Sequence, residues 1–334
     1  MVFHSSSLLV IVTTALFFLR GQCKPLNVQT RGICATEEPE PSFLNAVQRV
    51  HTNEVKNQGS PARDGPIEID TWFHIVSSSA ARDQVTDDMV DAQLAILQTA
   101  YQDAQISYQL QGVTRNVNDV WARNDDELGM KKALRKGTYS TLNVYFQTDL
   151  HATPSQVTRI LSSKTHQHQQ SPQKQQRSSS NSPSPSTSKK TDLAVSVLGF
   201  CTLPDPNINA TSPQSAYIKD GCNILAAAMS GGSLDQYNRG GTVIHEIGHW
   251  NGLLHTFQGE TCDPNDPGDY ISDTPQQSSP TSGCPASRDS CPDLPGADPI
   301  HDFMDYSSDV CYESFTAGQN QRMRSMWGSM REGK

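Results

Sequence analysis

His245-Glu246-Ile247-Gly248-His249-Trp250-Asn251-Gly252-Leu253-Leu254-His255 decides how the rest of the chain is read. The surrounding run predicts a helix over Thr242–Leu254. On it, His245 and His249 stand one turn apart and project from one face. That spacing lets two imidazoles reach one Zn²⁺ at about 2.0–2.1 Å. Glu246 lies beside the first of them, where its carboxylate can contact a metal-held water without occupying the metal. Gly252 permits a positive-φ turn that ends the helix, and the chain can then swing back to deliver His255 as a third ligand. Three protein ligands leave a fourth position for water, the catalytic arrangement rather than the closed structural one. The pattern fixes five positions and arises by chance in about one chain in ten thousand of this length. A solvated helix with incidental histidines is therefore the weaker reading.

Upstream, strands and helices alternate, which predicts an α/β architecture. Ile67–Val76 is a partly alternating, β-branched strand. Val85–Ala104 places Met89, Leu94, Leu97 and Tyr101 near helical spacing, with Thr86 and Asp87 as candidate N-caps. Ile106–Val113 predicts a second strand, Val120–Arg135 a weaker charged helix, and Leu142–Leu150 a third strand. Leu193–Leu203 predicts a fourth, and Ala216–Ala228 contains a fifth. Between the third and fourth lies Ser162–Lys190, 29 residues without a single Ala, Val, Ile, Leu, Met, Phe, Trp, Tyr, Cys or Gly. Such a segment cannot bury enough apolar surface to offset ordering entropy and reads as a disordered insertion in a surface loop. His166 and His168 within it read as incidental rather than as a metal tract.

The chain carries a net charge of -9, and the low-complexity segment holds five cations and no acid, so the remainder stands at -14. A body this acidic repels phosphates, which argues against nucleic-acid partners. Leu8–Leu19 is a 12-residue uncharged apolar run, short of the roughly 20 residues a membrane span needs. At the extreme N-terminus, ending before Arg20, it reads as the core of a signal peptide over residues 1–23. The product is then secreted and free of the membrane, the alternative being an uncleaved anchor. Residues 24–65 are rich in Pro, Glu, Gln and Asn with weak periodicity and read as a propeptide or extended leader. Residues 66–334 are left as the catalytic domain. None of the eight cysteines forms a C-x-x-C pair, so disulfides are the default in a secreted chain. If Cys23 leaves with the signal, seven remain and one is odd.

Downstream of His255 the chain is rich in Asp, Pro, Gly, Ser and Cys. It predicts an irregular subdomain over residues 256–334, held by cross-links and closed by a short helix near Ala317–Arg331. Here His301-Asp302-Phe303-Met304-Asp305-Tyr306 places Met304 49 residues after His255. H-E-x-x-H-x-x-G-x-x-H followed by such a Met-turn is the metzincin signature. Met304 would form a soft floor beneath the imidazoles, and Tyr306 could donate its hydroxyl to a developing oxyanion. An ordinary core Met and a structural Tyr are the bland alternatives.

Five stretches carry a wider likeness: GGTVIHEIGHWNGLLHTFQGETC (Gly240–Cys262), DYISDTP (Asp269–Pro275), SGCP (Ser282–Pro285), DPIHDFMDYSSDVC (Asp298–Cys311) and FTAGQNQRM (Phe315–Met323). With Trp250 after the second His and Tyr306 after the Met, the chain resembles the pappalysin-type metzincins, in particular the secreted fungal extracellular metalloproteases. The likeness runs from about Ile67 to the C-terminus, Ser162–Lys190 excepted. It departs at Asp302, where the family often has Asn, and in the long insertion.

The resemblance implies a metzincin-type zincin: a twisted, mostly parallel mixed sheet with a backing helix and an active-site helix, then the irregular disulfide-linked subdomain, with the cleft between. It implies His245, His249 and His255 as ligands of one catalytic Zn²⁺, Glu246 as general base and Tyr306 as oxyanion donor, hydrolysing peptide bonds of extracellular proteins. It suggests the pairs Cys201–Cys222, Cys262–Cys291 and Cys284–Cys311. Cys34 is then the odd thiol and a candidate latency ligand that could fill the open metal position of a zymogen; a Cys23–Cys34 bridge and an inert thiol are the alternatives. Asp263, Asp266, Asp269 and Asp273 make an oxygen-rich stretch of the kind structural Ca²⁺ favours, against ordinary solvated loop acids. Asn209-Ala210-Thr211 is a glycosylation sequon. Asp309 is a candidate for the pocket beside the cleaved bond. The competing functions are a zinc-binding pseudoenzyme or adhesin, and metal-dependent hydrolysis of a non-peptide substrate.

Overall fold

The structure, a computed structural model, describes residues 34–56, 65–153, 156 and 197–334. The expected signal peptide and the Ser162–Lys190 insertion lie outside the described residues. Five strands, β1 (Ile67–Ser77), β2 (Ile106–Val117), β3 (Leu142–Gln147), β4 (Gly199–Cys201) and β5 (Cys222–Leu225), form one sheet in the order β2-β1-β3-β5-β4. Neighbours pair in parallel except β4, which runs antiparallel along β5 at one edge. The helices are α1 (Pro41–Lys56), α2 (Asp87–Ala100), α3 (Asp119–Ala122), α4 (Glu127–Leu134), α5 (Gly241–Trp250) and α6 (Ala317–Met326), the last continued by a π turn over Trp327–Arg331.

Alternation along β1 assigns its two faces. Ile67, Ile69, Phe73 and Ile75 enter the main core with Val90 and Leu97 of α2 and Val243, Ile244, Ile247 and Trp250 of α5. Val76 faces the other way, into a smaller cluster with Tyr145, Met130 and Leu134 of α4. Every residue of β3 is buried, as expected of a parallel strand covered on both faces. Thr86 caps α2, its side chain accepting from Met89 N, and Asp87 and Asp88 sit in the first turn, where carboxylates offset the helix dipole. The backing helix is tied to the active-site helix where Tyr101 Oη donates to Ile244 O at 2.8 Å. The charged helix expected over Val120–Arg135 is split into α3 and α4, because Asn124 adopts φ +68° between them.

The leader departs more from expectation. Residues 41–56 form a 16-residue helix rather than an extended segment. Its Phe43, Ala46 and Val47, with Val50, pack on Leu254, Met326 and Met330. These four stand at helical spacing, i, i+3, i+4 and i+7, but the strongly polar surroundings mask the pattern. Glu54 adds an ion pair to Arg322 of α6 at 2.8 Å.

The C-terminal lobe contains the cross-links Cys262–Cys291 and Cys284–Cys311, while Cys201–Cys222 joins directly opposed residues of β4 and β5. Its end is pinned to the active-site helix by a buried ion cluster. Arg331 donates to Asp220 at 2.9 and 3.2 Å and to Trp250 O at 3.0 Å, and its guanidinium lies 3.6 Å from the Trp250 ring centre. Trp250 Nε1 and Arg135 also donate to Asp220, at 3.1 and 3.5 Å. Burial pushes the Asp220 carboxyl up, but Arg331 and Arg135 outweigh it and hold the group below its ordinary value. Asp302 accepts from Met304 N at 2.7 Å and from Gln319 Nε2 at 3.0 Å, so it ties the Met-turn to α6. Its Oδ2 is buried without a hydrogen-bond partner.

Two stability outcomes follow from this packing. Asp220→Asn leaves two buried guanidiniums uncompensated and should cost about 3 kcal/mol, read as a lower urea midpoint at unchanged slope. Arg123→Ala, whose partner Asp125 is about half exposed, should change stability by no more than about 0.5 kcal/mol. The second outcome concerns pH. Burial raises Asp302 to about 7 and Asp269 to about 8. The folded chain therefore holds protons that the unfolded chain releases near pH 3.9, and these groups stabilise less as pH rises through 7 and 8. His74, lowered to about 4 by burial, acts with the opposite sign but only below about pH 6.5. Between pH 6.5 and 8, Asp302→Asn should remove about 1 kcal/mol of the wild-type decline, or about 3 °C in thermal midpoint. Parallel melting curves for the two proteins across that window would contradict the assignment.

Candidate metal centre and active site

The site is built on α5, every residue of which is buried. The helix begins at Gly240, at φ +86°. Asp309 supplies the missing acceptor there: its Oδ2 accepts from Arg239 N at 2.7 Å and Gly241 N at 3.2 Å. At 8 % exposure Asp309 serves the start of the helix, and the cavity beside Glu246, which Leu198, Tyr237 and Thr242 help to line, does not include it. Its Oδ1 is buried without a hydrogen-bond partner. The helix ends as Gly252 was expected to end it, at φ +93°. Gly252 N donates to His249 O at 2.8 Å and Leu253 N to Gly248 O at 3.0 Å, the two bonds of a Schellman motif. The reversal carries His255 back toward the helix and aims Leu253 O at the His249 ring.

His245 Nδ1 lies 2.7 Å from Phe303 O, and His249 Nδ1 lies 2.9 Å from Leu253 O. Carbonyls only accept, so both Nδ1 atoms carry the proton and both Nε2 atoms present a lone pair. His249 Nε2 is 3.1 Å from Nε2 of both His245 and His255. Tetrahedral ligands at 2.0–2.1 Å from a shared centre stand about 3.3 Å apart, so the spacing matches a common cation. Burial lowers His245 to about 4, and burial with the neighbouring histidines lowers His249 and His255 well below their ordinary value. All three are therefore in the neutral, metal-ligating form at neutral pH. Among the described residues, Cys34 with these three histidines is the group of His, Cys, Asp and Glu side chains placed to share a metal ion, its four donor atoms lying within 4.8 Å of one another.

The remaining residues gather around this centre. Met304 is fully buried, and a Cβ at Gly248 would lie 2.5 Å from its sulfur. Gly248 thus lets the Met-turn approach the helix between its two histidines. The Tyr306 ring centre lies 5.6 Å from that of His245 and 5.0 Å from that of His255. Its hydroxyl donates to Cys34 O at 3.3 Å. Glu246 is 1 % exposed, and burial pushes its carboxyl up to about 8. Thr36 Oγ1 donates to Glu246 Oε2 at 3.0 Å. Cys34 carries a free thiol, while Cys23 lies outside the described residues. Thr36 and Gly248 were not singled out in the sequence; Thr36 stands only two residues from Cys34, and nothing local marks its reach to residue 246.

The other sequence candidates lie apart. Asn209 and Thr211 are exposed, the Asn209 carbonyl accepting from Thr211 in a local turn. Asp263, Asp266 and Asp269 each accept from a backbone N–H two residues ahead, and Asp273 accepts from Gly318 N and Thr316 Oγ1 at the start of α6. No helix among the described residues is long and apolar enough to cross a membrane.

The Peptidase_M43 family, described as pregnancy-associated plasma protein-A, matches residues 208–327. An extracellular metalloprotease of Aspergillus oryzae is 53% identical over 322 residues, covering 95% of each chain. One of Aspergillus fumigatus is 52% identical over 339 residues, covering 99% of each. One of Colletotrichum graminicola is 40% identical over 303 residues, 89% of this chain and 90% of the relative. Mature mirolysin of Tannerella forsythia, in complex with a cleaved peptide, shares the fold at TM-score 0.55 and 19% identity, covering 81% of this chain and 97% of mirolysin. With relatives this similar over nearly its whole length, and with the pappalysin signature on its buried helix, the chain belongs to the family of fungal extracellular metalloproteases.

Proposed function

We propose that the protein is a secreted zinc endopeptidase, made with a signal peptide over residues 1–23 and held latent by the leader that follows. The observation that carries this reading is the convergence of three neutral imidazoles, Nε2 to Nε2 at 3.1 Å, next to the buried carboxylate of Glu246. His245, His249 and His255 would hold the zinc. When bound, it supplies Lewis acidity to the scissile carbonyl and lowers the pKa of water. Glu246 takes a proton from the attacking water as the C–O bond forms and delivers it to the leaving amine as the C–N bond breaks. Tyr306 donates its hydroxyl to the carbonyl oxygen as negative charge develops there; its present acceptor, Cys34 O, is also a peptide carbonyl. Protein and peptide substrates are the natural targets of such a site.

Latency follows from the position of Cys34. Its thiol stands with the three histidines, so it would occupy the metal position that substrate and water need. Burial and the charge of Glu246 raise the thiol well above its ordinary value; a bound cation would favour the thiolate instead. Calcium gains no comparable support, because the four loop aspartates each serve their own turn or helix cap. Intact Glu246 and Tyr306 argue against a pseudoenzyme.

Digestion of a peptide library, with and without a chelator, tests the activity: cleavage should disappear on chelation and return with zinc. Glu246→Gln should retain stoichiometric metal and lose about three orders of magnitude in turnover, and Tyr306→Phe about two. Normal cleavage by Glu246→Gln overturns the assignment of the base. Cys34→Ser should make the uncleaved precursor active, and a fully latent Cys34→Ser precursor removes the thiol from the latency account.

A further inference from the structure

We infer that the leader carries a second latch: Thr36 occupies the general base Glu246 and ties it to the cleft-edge strand β4. This deepens the reading of Glu246 as base and Cys34 as latency thiol, and rests on it. The argument begins with backbone pairing. Cys34 forms a parallel β-bridge with Gly199, and Ala35 N donates to Gly199 O at 2.8 Å. The leader therefore lies extended along β4. Side chains of an extended chain alternate in direction, so Cys34 and Thr36 point together toward α5 while Ala35 points away, into an apolar cluster with Leu150, Val197 and Phe200. One prong reaches the histidines and the other reaches Glu246.

Thr36 Oγ1 is engaged on both sides. It donates to Glu246 Oε2 at 3.0 Å and accepts from Cys201 N, an amide of β4, at 2.9 Å. The gap it bridges is narrow, since a Cβ at Gly199 would lie 2.9 Å from Glu246 Cγ. The bond fixes the carboxyl of Glu246 against β4 through Oε2 alone, while Oε1 is buried without a hydrogen-bond partner. Together with the Tyr306 bond to Cys34 O, the stretch Cys34-Ala35-Thr36 engages the metal site, the base and the oxyanion donor at once.

Thr36→Val keeps the β-branched shape and removes both hydrogen bonds; Thr36→Ser keeps the hydroxyl. Uncleaved full-length precursor, its intactness checked by mass, is assayed on a quenched peptide. Thr36→Val should raise its residual hydrolysis about tenfold, as expected when a buried side-chain hydrogen bond is lost, and Thr36→Ser should stay latent. The second readout uses chelated precursor, in which no metal holds the thiol. There, iodoacetamide labelling of Cys34, followed by peptide mapping, should run about tenfold faster in Thr36→Val than in wild type or Thr36→Ser. A Thr36→Val precursor as latent and as protected as wild type overturns the second latch. If Cys34→Ser is active in that same case, the thiol reading stands alone. If Thr36→Val is released while Cys34→Ser stays latent, the thiol reading fails and the latch on the base survives. If Thr36→Ser is released as fully as Thr36→Val, side-chain fit rather than the hydroxyl holds the leader, and the inference is wrong.

Discussion

Three imidazole nitrogens stand at near-contact, two of them with their lone pairs fixed toward the shared centre, and the remainder of the molecule supplies the restraint that this requires. Without a cation between them the arrangement is repulsive, so each ring has to be held from behind. Phe303 O and Leu253 O do this for two of them, fixing the tautomer as well as the direction. One carbonyl belongs to the Met-turn and the other to the reversal at Gly252. The histidine cluster is therefore held in part by the lobe that follows the helix.

That dependence explains how the C-terminal lobe is held. It has little regular structure of its own, and two disulfides, buried aspartates and the Arg331–Asp220–Trp250 cluster take the place of a large apolar core. Several of its carboxylates sit in surroundings that raise them toward neutral pH. Such groups tolerate burial because each receives backbone or side-chain donors, and in exchange they close the turns that place Met304 and Tyr306. Asp309 does the same at the other end of the site by completing the start of the active-site helix.

The leader completes the described cleft from outside. Its extended start adds to the free edge of the sheet and its helix packs on α6, so one continuous segment joins the edge strand, the catalytic residues and the C-terminal helix. The helix is held by apolar and ionic contacts, the extended start by backbone pairing and polar contacts.

The convergence of the three histidines, the carboxyl beside them and the helix that carries them were legible in the sequence because they are local. An i, i+4 pair, an adjacent carboxylate and a glycine at the point of reversal are consequences of helical geometry, and eleven consecutive residues contain them. The parallel strands were legible for a similar reason, as short apolar runs separated by helical ones. The family likeness extended this to the three disulfides and the Met-turn. What tertiary structure alone decided lies in contacts between distant segments. The polar-masked helix at 41–56 became visible as a helix through the groove that receives it. Asp309 completes the start of the active-site helix from 68 residues away, and Thr36 meets Glu246 across 210 positions of chain. Hydrogen bonds of that kind depend on which backbone groups remain unsatisfied after the sheet and helices have paired. No local pattern encodes that remainder, because it exists only once the elements are packed together.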